Sequence, residues 1–171
     1  MKIFETKKYF KSPSRGNLSV RKVAEEISGF INEDKERKYH LIVGTDSDAH
    51  GGKKTDFVTA IIVYRVGRGG RYFWQKNNGG RVFHTLRDRI HNEVTISLQV
   101  AQKILSELES LIESKKHEEA NYNFQIHIDV GQNGPTRDMV KEVVGMVKGS
   151  GFEALIKPES YAASSVADKY V

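Results

Sequence analysis

A chain of 171 residues, 38% hydrophobic and 29% charged, suits one globular domain with a real core. It has no cysteine, which excludes a disulfide framework and thiolate metal sites. It also has no apolar run of signal-peptide or membrane-spanning length, so a cytoplasmic protein without a membrane partner is expected, and its net charge of +5 points to an anionic partner.

The first seventeen residues read as a mobile arm or an edge strand. Ser19 fits the N-cap of a helix in which Val20, Val23, Ala24, Ile27, Phe30 and Ile31 recur at helical spacing. That helix ends near Glu33, before the charged link EDKERK. Residues 40–46 form the first core strand, and AHGGKKTD turns the chain. Phe57 to Val66, rich in β-branched and aromatic residues, is the second strand, and RYFWQK the third. Turns this short favour an antiparallel meander. A long helix follows from about Arg87 to Ser114, with Val94, Leu98, Ala101, Leu105, Leu108 and Ile112 at steps of three and four.

In FQIHIDVG, apolar residues alternate with Gln125, His127 and Asp129, the period of a strand. Pro135 is placed as a first helical residue for the helix carrying Met139, Val140, Val143, Val144 and Val147, which Gly149 and Gly151 stop. FEALIKP is the fifth strand, and ESYAASSVADKYV a short closing helix capped by Ser160. Residues 1–38, an arm and a helix, would pack on a domain spanning 39–171.

Acidic residues sit where such a fold would gather them. Asp46 closes the first strand and Asp129 nearly closes the fourth. If those strands are parallel neighbours, about 4.8 Å apart, the two carboxylates face each other at the edge where α/β sheets build sites. Close carboxylates repel, and a hard divalent cation such as Mg²⁺ or Mn²⁺ removes the conflict. Glu93 borders the apolar stripe of the long helix, and Asp168 stands on the otherwise small and apolar final segment. Each acid also has a plainer use, in a turn, in a helix's first turn or on the surface. Asp48 shares a strand face with Asp46, and His50 and His91 lie nearby as proton shuttles or surface residues. A calcium loop is excluded, because Phe57 stands where its closing glutamate belongs.

From Tyr64 to His91 the chain holds seven basic residues against Asp88, a net +6 that exceeds the charge of the whole molecule. Arg65, Arg68, Arg71, Lys76, Arg81 and Arg87, with Trp74 among the aromatics, suit a nucleic-acid backbone and its bases. The alternative is a solvated hairpin whose aromatics face the core.

The order β-β-β-α-β-α-β-α, with those acids on strand one, the first crossover helix, strand four and the last helix, resembles the ribonuclease H-like fold. That is an α/β fold with a five-stranded mixed sheet, three antiparallel strands and then parallel ones, with flanking helices. More closely, VGTDSDAHGGKKTDFVTAI, HIDVGQNGPTRDMVKEVVGMV and KPESYAASSVADKY resemble the bacterial YkuK-like family, predicted to be ribonuclease H-like, over about residues 38–171. The resemblance implies a nuclease-type site with two divalent metal ions, carried by Asp46, Glu93, Asp129 and Asp168. In it Asp46 would bridge both ions, Glu93 and Asp129 would hold one, and Asp168 the other. The expected function is metal-dependent hydrolysis of RNA, RNA–DNA hybrid or structured DNA. The competing one is a non-catalytic nucleic-acid-binding module on the same fold.

Overall fold

The structure is a computed structural model that describes residues 7–48, 54–78, 80–114, 121–160 and 165. The chain forms β1 (Tyr9–Ser12), β2 (Gly16–Ser19), α1 (Val20–Asn32), β3 (Tyr39–Asp48), β4 (Asp56–Arg65), β5 (Gly70–Asn77) and α2 (Leu86–Glu113). Then come β6 (Asn123–His127), a one-turn 3-10 helix (Arg137–Met139), α3 (Val140–Gly149) and β7 (Glu153–Leu155). No helix among the described residues is long and apolar enough to cross a membrane.

One mixed sheet runs in the order β2-β1-β5-β4-β3-β6-β7. The meander β3-β4-β5 is antiparallel, and β6 and β7 run parallel to β3. The sheet therefore has seven strands, not the five that the pattern predicts. The two extra strands are the N-terminal hairpin, joined through β1 to β5. Each is four residues long and buries one side chain, Phe10 or Leu18. One inward residue per strand is too few for a period of two to be visible.

Helix α1 begins where expected: the Ser19 hydroxyl caps it by accepting from the Lys22 N–H at 3.2 Å. Thr85 caps α2 in the same way through Asp88. Pro135 does not open a helix; the 3-10 turn precedes α3, which starts at Val140. Strands β6 and β7 are shorter than the apolar runs that contain them. All but Ser165 of the closing segment after Ser160 lies outside the described residues.

The three helices share one core with Leu41, Val43, Ile61, Val63, Phe73, Ile126 and Ile128. Strand alternation sends the intervening residues to the other sheet face, where Ile42 and Ile62 pack with Tyr64 and Tyr72. Two faces of different character thus meet at the rim where β3 and β6 end.

Candidate functional site

Strand β3 pairs in parallel with β6 from His40↔Asn123 to Gly44↔His127. Continuing that register by two residues sets Asp46 level with Asp129. Both belong to the sheet face away from the helices, since Val43 and Ile126, their alternates, are core residues. Both carboxylates are half-buried. Asp46 Oδ1 accepts the Ser47 N–H at 2.8 Å. Asp129 Oδ1 lies 2.8 Å from the ammonium of Lys157, just beyond β7.

Glu93 arrives from the other side. It sits on the inner face of α2 with 3% exposure, and the Ser47 hydroxyl donates to its Oε1 in a short hydrogen bond. Its Oε2 is buried and has no hydrogen-bond partner among the described residues. Burial does most to push the Glu93 carboxyl up, to about 8. The Ser47 hydrogen bond opposes this, Asp46 adds to it, Arg89 opposes and Asp129 adds again. The guanidinium of Arg89, one turn earlier on α2, approaches the Ser47 carbonyl at 3.4 Å. Three acids from three distant chain segments therefore act on one another at one rim.

Hard carboxylate oxygens and a buried, unmatched Oε2 fit a divalent cation in chemistry. Among the described residues, however, no three His, Asp or Glu side chains are grouped closely enough to hold one. The alternation of β3 is the reason: Ser47 faces α2 and Glu93, so Asp46 faces away. Asp168 and His50 lie outside the described residues.

The chain also matches a known family. A family model described as ribonuclease H-like matches residues 22–171. The chain belongs to the ribonuclease H-like family. It is 32% identical over 165 residues to the uncharacterized protein YkuK of Bacillus subtilis (strain 168), covering 94% of this chain and 95% of that one. No solved structure matches it.

Around the rim of this ribonuclease H-like chain the remaining candidates are dispersed. Asp48 closes β3 opposite Asp56, whose carboxylate lies 3.4 Å from the Lys76 ammonium. His91 turns to α3, with Nε2 3.1 Å from Glu142, and Arg87 meets the same carboxylate at 2.5 Å. Strand alternation splits the basic stretch between the faces. Arg65 and Arg71 go to the α1 side, where Arg65 bonds Tyr39 and the Phe30 carbonyl, each at 2.9 Å, and Arg71 pairs with Glu26 at 3.1 Å. Trp74 and Lys76 go to the other face, where the Lys11 ammonium lies 4.9 Å from the Trp74 ring. Arg68 is exposed in the β4–β5 turn, and Arg81 stands over the Phe83 ring.

Ser47, Arg89 and Lys157 stand at this rim, and motif spacing did not single them out as site residues. Beside them on the outer face runs a buried polar row. His127 Nε2 lies 3.2 Å from Gln125 Oε1, and Gln125 Nε2 donates to His40 Nδ1 at 3.2 Å. An amide oxygen only accepts, so His127 Nε2 carries the proton. Burial lowers the His127 ring to about 4, with the Ser160 backbone opposing and His40 adding. The ring is neutral at physiological pH. Alternation of polar residues in FQIHID was the available signal for this row.

Proposed function

We propose that this ribonuclease H-like protein is a nuclease that hydrolyses phosphodiester bonds in RNA, RNA–DNA hybrid or structured DNA with Mg²⁺ or Mn²⁺. The observation that carries this is the convergence of Asp46, Glu93 and Asp129 at the rim, where burial first and the neighbouring carboxylates after it hold Glu93 protonated at neutral pH, with one oxygen unmatched among the described residues. Unmatched buried oxygen and crowded carboxylates are what a cation relieves. Asp46, Glu93 and Asp129 would hold it, with Asp168 as the fourth acid that the family resemblance supplies.

A bound divalent cation supplies Lewis acidity, making water nucleophilic near neutral pH and offsetting charge at phosphorus. The chain's own residues do the rest. Asp46 and Asp129 provide negative oxygen at the open rim, and the Ser47 hydroxyl fixes the rotamer of Glu93. Arg89 and Lys157 bring positive charge to the same place, suited to the phosphate of a nucleic-acid strand. Lys76, Trp74 and Lys11, on the same face as Asp46 and Asp129, extend a basic and aromatic path from the rim.

A second reading is a nucleic-acid-binding module without catalysis, favoured by the lack of a close metal-holding trio among the described residues. One experiment separates the two. Purified protein is incubated with labelled RNA, hybrid and branched DNA, with Mg²⁺, with Mn²⁺ and with EDTA. Cleavage that requires the cation and falls roughly 100-fold or more in Asp46→Asn and Asp129→Asn is the expected result. Salt-dependent binding that survives Asp46→Asn, with no cleavage, establishes the module instead. Cleavage kept by both variants overturns the assignment of the site.

A further inference from the structure

Strand alternation gathers the outward residues of β1 and β5 into one group. Phe73 belongs to the core shared with the helices, so Tyr72, Trp74 and Lys76 stand on the opposite face. Phe10 is a core residue too, which turns Tyr9 and Lys11 to that same outer face. Lys11 is the cross-strand partner of Trp74, and continuing this antiparallel register by two residues sets Tyr9 level with Lys76. The Lys11 ammonium lies 4.9 Å from the centre of the Trp74 ring, and the Lys8 ammonium 5.6 Å from that of Tyr9. No outward residue of either strand is acidic. The nearest acid given to these lysines is Asp56 of β4, 3.4 Å from Lys76.

Exposure follows the same division. In the middle of the outer face Val58, Ala60 and Ile62 are buried. Toward the β1 side Tyr72, Trp74 and Lys76 are half-buried, Lys11 is exposed, and Tyr9 keeps 49% of its surface in solvent.

We propose that this side of the sheet, Tyr9 and Lys11 on β1 with Tyr72, Trp74 and Lys76 on β5, is a stacking surface for the unpaired bases of single-stranded nucleic acid. The proposal rests on the nucleic-acid reading above and deepens it by naming the strandedness of the substrate.

An aromatic ring stacks on a base only where the face of that base is uncovered, and within a duplex both faces are taken by neighbouring pairs. Tyr72 and Trp74 are two residues apart on one strand, about 7 Å, so successive bases can meet successive rings. Lysines interleaved with the rings put positive charge where the phosphates between those bases would run. The surface also leads to the rim acids. Lys76 shares a row with Asp46 through Val58, two strand spacings or about 10 Å away. A strand laid over Trp74 and Lys76 therefore runs on toward Asp46.

Trp74 is the single tryptophan of the chain, so its fluorescence reports on this surface directly. Full-length protein in EDTA, where metal-dependent cleavage plays no part, is titrated with oligothymidylate, oligouridylate and a blunt duplex of equal length. Both single strands should quench the emission and bind roughly 10-fold or more tightly than the duplex. Trp74→Leu should weaken single-strand binding roughly 10-fold, read by the anisotropy of a labelled strand, whereas Trp74→Phe, which keeps a ring, should retain most of it. Lys11→Gln should flatten the slope of log affinity against log salt by about 0.7. Single-strand binding that leaves the emission unchanged and is the same in Trp74→Leu, or a preference for the duplex, overturns the stacking surface and leaves the nuclease reading standing on its own cleavage assay. Failure to bind any of the three overturns this proposal and the nucleic-acid reading together.

Discussion

Glu93 shows what a single residue at this rim costs the fold. Its carboxyl has an ordinary value of 4.5 and is raised to about 8, chiefly by burial. Below 4.5 the folded and unfolded chains are both protonated there, and the group has no effect. Between 4.5 and 8 the unfolded chain releases a proton that the folded chain keeps, so stability falls as pH rises, and above 8 the loss is complete. Glu93→Gln keeps an acceptor for Ser47 and removes the titration. The metal-free variant should unfold roughly 5 °C or more above the wild type at pH 8, with the gap closing toward pH 4.5. Equal melting temperatures across that range would contradict the raised value. His127 acts with opposite sign: its stabilising contribution is present above 6.5 and is lost as pH falls through 4. At this scale Asp46, Asp129 and Glu93 were legible, because a carboxylate at a strand end or beside an apolar stripe stands out. Lys157 was not, because a lysine ending a short strand looks solvated until parallel pairing brings Asp129 beside it.

Helix α2 is the element that brings Glu93 to the strands, and its inner seam differs from the apolar stripe in the sequence. Leu98 and Leu105 are only half-buried and Ile112 is exposed, whereas Ser97, Ile104 and Leu111 are buried. Val94, Ala101 and Leu108 of the stripe are buried as expected, and the seam widens to take in Ser97, whose hydroxyl donates to Thr45 Oγ1 at 2.8 Å, while Thr45 and Thr59 share a hydrogen bond of 3.0 Å. A polar residue inside a core seam breaks the pattern that apolar periodicity detects. Ser97→Ala removes one buried bond and leaves Thr45 paired with Thr59, so it should lower the unfolding free energy by about 1 kcal/mol in a urea titration. An unchanged or higher stability would show that the hydroxyl chain does not anchor α2 to β3. Shorter elements were harder to read: the β6 and β7 ladders stop early within longer apolar runs.

Across the whole molecule, the acids meet only because β3 and β6, some eighty residues apart in the chain, pair in parallel while α2 crosses between them. The order of helices and strands was enough to propose that pairing. It did not expose the β1–β2 hairpin, whose residues carry too short a pattern, nor the division of the basic stretch between two faces, which depends on register. The same division points a basic and aromatic surface and two rim acids the same way, while Arg65 and Arg71 serve the packing of α1. The most direct test of the shared rim is a crystal structure grown with Mn²⁺ and examined at the manganese absorption edge. An anomalous peak contacting carboxylate oxygens of Asp46, Glu93 and Asp129 is the predicted result. No peak there, or a peak held by other residues while these carboxylates stay apart, would contradict it.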